Sequence, residues 1–195
     1  MSLQRLTCAE VTNEALTHVC DPCTRELGRV RGVILFEGSF DIAALTEKIK
    51  AGNTEEAEQL IETAVTSGQA HLISETTGTF DGGSAQTGDG YGDAETRLLG
   101  YLYTLSFKDP SYAPNCEFWE KAENNHWYVA FRTETMLHFA DKPAGIQAIA
   151  PVEQDLTSAV AWNITATWKS KKKPIVVPLE PIKKFFDGCW ADVEE

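Results

Sequence analysis

The chain has 195 residues, 43% hydrophobic and 24% charged, with a formal net charge of −12. That size and balance suit a single folded domain with a substantial core, and the acidic excess opposes the phosphates of nucleic acid, so a conventional DNA-binding role is disfavoured. No run reaches the roughly 18–20 apolar residues that span a bilayer, and Met1–Cys8 lacks the apolar core of a signal peptide, so no membrane partner is expected and use in a cytoplasm, or release from one by lysis, is.

Residues 1–28 are mixed and polar and read as an N-terminal arm. Val30–Phe36 is β-branched and aromatic and predicts a strand. Residues 41–67 predict a helical excursion. Asp41 caps a first helix carrying Ile42, Leu45 and Ile49 at helical spacing, and Gly52 closes it. Thr54 caps a second helix with Glu55 and Glu56 in its first turn, and Gly68 ends it. Residues 70–76 predict a strand. Residues 78–92 hold Gly78, Gly82, Gly83, Gly88, Gly90 and Gly92 and read as a long, mobile, glycine-rich contact loop.

The second half alternates more clearly. Tyr101, Tyr103, Leu105 and Phe107 share one face of an extended strand, and Asp109-Pro110-Ser111 turns the chain. Asn115 caps a helix bearing Phe118, Trp119 and Ala122. Trp127–Thr135 predicts a strand that Met136–Phe139 continues past a tight turn. Residues 146–152 are extended. Trp162, Ile164, Ala166 and Trp168 alternate with polar residues, which predicts one face in a core and the other toward solvent or a partner. Residues 169–195 contain Pro174, Pro178 and Pro181 and read as an extended C-terminal arm with a short turn of helix near Lys183. The expected fold is mainly β (α+β): an antiparallel β-sandwich or barrel with two or three short helices, all within one domain.

Motifs that carry chemistry are sparse. Five cysteines, widely spread, argue against a disulfide framework. Cys20-Asp21-Pro22-Cys23, with Cys8 and His18, supplies four residues of the types that ligate zinc, but no second well-spaced pair accompanies them, and ordinary thiols in a terminal arm are the expected reading. The glycine-rich stretch lacks the Gly-Lys-Ser/Thr ending of a phosphate loop, and its acids Asp81, Asp89 and Asp93 do not have EF-hand spacing. No histidine falls in a nucleophile motif, and nothing singles out Glu134 and Asp141 as a working carboxylate pair. No enzymatic activity and no cofactor is expected. Lys171, Lys172 and Lys173, with Lys169, form a basic run better matched to an acidic patch on another subunit than to DNA. The expected subunit-contact residues are Gly82, Gly83, Gly88 and Tyr91 in the glycine-rich stretch and Lys171, Lys172 and Lys173 in the basic run.

Three stretches carry a family likeness. Gly100–Asp109 leads into Cys116-Glu117-Phe118-Trp119-Glu120; Trp127–Thr135 follows; Pro151–Asn163 completes the series. Their texture and order resemble virion structural proteins of Bacteroidetes-type phages, and tail-tube proteins in particular, over roughly residues 95–180. The resemblance implies a β-sandwich subunit that closes into a hexameric ring. It also implies rings that stack into a tube in the virion, with other tail or neck proteins as partners and DNA passing through the lumen without sequence-specific binding. The readings set beside it are a phage neck or connector ring protein, a carbohydrate-binding sandwich with an exposed aromatic platform, and a cysteine- or zinc-dependent enzyme using Cys20 and Cys23.

Overall fold

The structure, a computed structural model, describes residues 28–74, 76–90, 96–152 and 160–186. Among the described residues are ten strands, three α-helices and a 3-10 helix. In chain order the strands are β1 (Gly32–Glu37), β2 (Ala70–Ile73), β3 (Gly78–Phe80), β4 (Ser84–Asp89), β5 (Thr96–Asp109), β6 (His126–Arg132), β7 (Met136–Phe139), β8 (Ala144–Ile149), β9 (Trp162–Ser170) and β10 (Ile175–Pro178). The helices are α1 (Ile42–Lys50), α2 (Thr54–Thr66) and α3 (Cys116–Ala122), with the 3-10 helix at Glu180–Phe186. No helix among the described residues is long and apolar enough to cross a membrane.

All strand pairs are antiparallel, and the sheet folds over on itself at β6. One side of β6 pairs with β1, and β1 pairs with β2. The other side of β6 takes β7 at one end, through Ala130–Arg132, and β8 at the other, through His126 and Trp127. From β7 the first layer continues to β10. From β8 the second layer runs through β9 to β5, whose far edge takes β3 and then β4. The sheet is not closed; a lone bridge from Val30 to Gly78 spans the gap between the layers. The result is the expected mainly antiparallel β fold, in the form of a sandwich.

Two apolar cores lie on opposite faces of the first layer. Strand β1 shows why: Val33 and Leu35 enter the core between the layers, whereas Ile34 and Phe36 enter a second core under the helices. A strand buried on both faces needs the unbroken apolar run Gly-Val-Ile-Leu-Phe that the sequence carries. The inter-layer core is aromatic, with Tyr103, Phe107, Trp119, Trp127, Phe131, Trp162 and Trp168. The second core is built from Ile42, Leu45, Ile49, Ala57, Ile61 and Ala64 of α1 and α2 against Phe36, Leu137 and Phe139.

Four expectations change. Residues 41–67 are an excursion only in sequence, because α1 and α2 form a full layer over the sheet. Asp41 does cap α1, accepting from Ala44 N at 3.0 Å, but α2 starts one residue earlier than expected, with Asn53 at its cap position. The stretch expected as a glycine-rich loop over 78–92 carries β3 and β4, which pair with β5. Residues 169–186 are no free arm: Lys169 and Ser170 end β9, β10 joins the sheet edge, and Leu179, Ile182, Phe185 and Phe186 are buried in the second core. Proline misled the reading there. Pro178 sits on an edge strand, a place that tolerates a missing donor. Apart from Gly28, the N-terminal arm of residues 1–28 lies outside the described residues, as do residues 187–195.

Candidate assembly interface

Strand β5 is longer than its partner on the core side. Its ladder with β9 runs from Asp109 only back to Tyr101, opposite Ser170. Residues 96–100 continue beyond that point and, among the described residues, pair only with β4. The pair therefore leaves the sandwich as a two-stranded ribbon. Nearly every residue of β4 is exposed, and Leu98 and Leu99 are 54% and 47% exposed. The register shifts between Gln86 and Thr87, a bulge that increases local twist where the ribbon leaves the body.

The foot of this arm is tightly built. Asp81 Oδ1 accepts from Gly83 N at 2.9 Å and from Thr104 N at 3.0 Å, which pins the β3–β4 turn to β5. Gly82 and Gly83 make that turn with φ of 72° and 93°, and a Cβ on Gly83 would meet the Tyr103 ring at 2.3 Å. Tyr103 stacks on Trp168 and donates its hydroxyl to the Lys172 carbonyl at 3.1 Å. Burial pushes the Tyr103 phenol up from its ordinary pKa, with nearby Tyr101, Asp141 and Asp81 adding to the effect, so the hydroxyl keeps its proton and its role as donor. Lys172 N in turn donates to Ser170 Oγ at 2.9 Å, and Ser170 Oγ donates to Asp141 Oδ2 at 2.6 Å.

Most of the residues expected at a subunit contact thus meet at one end of the second layer. Gly82 and Gly83 form the turn, Gly88 lies in the ribbon against Leu99, and the exposed side chains of Lys171, Lys172 and Lys173 follow β9 at the ribbon's foot. Tyr91 lies outside the described residues. Leu98 and Leu99 were missed by the sequence reading. Their signal was present: two adjacent leucines break the in-out alternation that Tyr101–Phe107 establishes, so one of them must face away from any core.

The chemistry-bearing candidates take other positions. Cys8, His18, Cys20 and Cys23 lie outside the described residues. Glu134 faces Arg31 at 3.5 Å, and Asp141 accepts from Ser170, so these two carboxylates have different partners. His138 stacks on Phe131 with ring centroids 4.8 Å apart, and His71 packs against Phe118 and Trp127. Burial lowers the His71 pKa below its ordinary value, with Glu37 and a hydrogen bond to the Gly68 backbone pulling the other way. Trp119, Trp127, Trp162 and Trp168 are all buried or nearly so, and among the described residues Tyr112 is the one aromatic among the strongly exposed large apolar side chains.

The fold and this site define a class: a two-layer antiparallel β-sandwich with a helical layer on one face and a projecting β-ribbon at one end. No family model, no curated protein and no solved structure matches the chain.

Proposed function

We propose that this chain is a structural subunit of a phage tail-tube-like assembly, closing into hexameric rings that stack through the β4–β5 ribbon. The ribbon carries the proposal. A two-stranded hairpin in water is marginal on its own. This one exposes two leucines and has an outer edge, β4, that pairs with nothing else among the described residues. The edge sequence Ser84-Ala85-Gln86-Thr87-Gly88-Asp89 contains none of the lysines or prolines that guard solvent-facing edges, whereas β10, at the edge of the first layer, ends on Pro178. Against another chain a ribbon of this kind gains a core and a ladder. The acidic balance of the whole protein favours a conduit whose walls do not hold DNA. The scarcity of exposed aromatic side chains among the described residues counts against the carbohydrate-binding reading.

The test is negative-stain electron microscopy with mass photometry over a concentration series, comparing the wild-type chain with Leu98→Asp/Leu99→Asp. Rings and tubes are expected from the wild type and monomers or single rings from the double variant, with the thermal midpoint little changed. A wild-type chain that stays monomeric at high concentration overturns the proposal. Closed rings that never stack favour a neck or connector ring.

A further inference from the structure

Beneath the ribbon two buried polar atoms lack partners. Trp168 Nε1 is a donor and Asp141 Oδ1 an acceptor, and among the described residues neither has a hydrogen-bond partner. Trp168 is 3% exposed, so bulk water does not serve it. A buried donor or acceptor left unpaired loses its hydration with nothing in return, most severely when it is charged, and native proteins satisfy nearly all such groups.

The two atoms belong to one neighbourhood. Trp168 and Ser170 are two residues apart on β9, so their side chains share its inward face. Ser170 Oγ already donates to the other oxygen of the same carboxylate, Asp141 Oδ2, at 2.6 Å. The Trp168 ring stacks on Tyr103, whose hydroxyl reaches the Lys172 carbonyl, and Lys172 N closes the circuit by donating to Ser170 Oγ at 2.9 Å. On the other flank of β9, Gly145 pairs with Thr167, which sets Ala144 alongside Trp168 and the turn carrying Asp141 just beyond it.

The chemistry of the pair limits what can serve both. An indole N–H repels a cation, and a carboxylate oxygen repels an anion. What remains is a small neutral group that accepts and donates at once. We propose that one internal water bridges the two atoms, accepting from Trp168 Nε1 and donating to Asp141 Oδ1. Internal waters occur where buried polar groups would otherwise go unpaired, and a bridging water is nearly as favourable as a direct hydrogen bond. The bridge completes a polar network running from Trp168 through Asp141, Ser170 and Lys172 to Tyr103. That network ties the turn between β7 and β8, in the first layer, to β9 and β5 of the second. It lies under the Gly83 turn that Tyr103 supports, so the water is a structural ligand of the joint from which the ribbon projects. The inference does not depend on ring assembly.

A crystal structure of the full chain that resolves ordered water tests it, with NMR of the chain carrying 15N-labelled tryptophan alongside. One water is expected within about 3.2 Å of both atoms. The Trp168 indole proton should show a cross-peak to water with the sign that only a long-lived water gives. Trp168→Phe assigns the resonance by removing it. Asp141→Leu should keep the indole resonance and lose the cross-peak, with thermal unfolding confirming that the variant is folded. Should that variant not fold, the wild-type crystal structure and cross-peak decide alone. The proposal is overturned by a direct hydrogen bond between Trp168 Nε1 and Asp141 Oδ1, by a site without water, by separate waters that each serve one atom, or by a cross-peak that survives Asp141→Leu.

Discussion

The two ends of β5 are opposites. At its closing end, Phe107 and Asp109 are buried, and α3 lies across them: Trp119 meets the Phe107 ring and donates its indole N–H to Asp109 at 2.8 Å. At its opening end, residues 96–100 have one neighbouring strand and two exposed leucines. The same backbone ladder is therefore backed by a core at one end and left without one at the other. The contrast teaches that strand length alone does not measure stability. A ladder holds where side chains on at least one face are removed from water, and elsewhere it waits for a partner.

The sharpest test pairs one truncation from each end. Trp119→Ala should destabilise the monomer by about 3–5 kcal/mol, because it leaves a cavity and removes a donor from buried Asp109. Leu99→Ala should change monomer stability by only about 0.5 kcal/mol. Chemical denaturation at a concentration too low for assembly measures both, and similar losses at the two positions would erase the distinction.

How far the sequence discloses these ends depends on how local each signal is. The alternation of Trp162–Trp168 predicts β9 and its buried face, observed as Trp162, Ile164, Ala166 and Trp168 in the core. Asp41 and the spacing of Ile42, Leu45 and Ile49 predict α1 with its cap. In both cases the information lies within a few residues. β3 and β4 are different. Their glycines and small polar residues carry no apolar alternation, and they become strands because β5 offers them an edge. The grouping of Arg29, Arg31, Lys108 and Arg132 around one open cleft is the extreme case: these residues come from three separated segments, form no run, and meet only when β1, β5 and β6 come together. The closing segment is legible in part: a turn of helix near Lys183 is present as the 3-10 helix, whereas the burial of Leu179, Ile182, Phe185 and Phe186 depends on a helical layer far away in sequence.

A second, smaller test concerns the joint between the ribbon and the body. Gly83→Ala forces a Cβ into the Tyr103 ring at a positive φ and should cost about 1–3 kcal/mol. Gly82→Ala meets open space, so only the backbone term of about 1 kcal/mol remains. Thermal unfolding of the two variants separates steric from conformational cost. Equal costs would show that the ring of Tyr103 moves aside freely and that the foot of the ribbon is soft.

The smallest expected effect belongs to the closed end. His71 packs on Phe118 of α3 and on Trp127, with ring centroids at 4.5 and 5.5 Å, and burial holds its pKa below the ordinary 6.5. As pH falls through 6.5 the unfolded chain takes up this proton before the folded one, so the His71 contribution is intact above that value and declines below it. Denaturation midpoints measured between pH 8 and pH 5 should show a shallow fall that His71→Gln reduces. A variant with the same slope as the wild type would assign the fall to other groups.

The doubly buried strand β1 has a consequence for how the molecule comes into being. It is the first strand of the described chain, yet its long ladder is with β6, so that Gly32 meets Arg132 a hundred residues downstream. Its nearer partner, β2, offers four paired positions. During synthesis the face of β1 that carries Val33 and Leu35 stays without its inter-layer core until half the protein has followed it from the ribosome. High contact order of this kind slows the final search and lengthens the interval in which a sticky segment is unprotected. The helical layer of α1 and α2 is complete well before β6 emerges and can cover one face of β1 in the meantime, which gives the early position of those helices in the chain a kinetic meaning as well as a structural one.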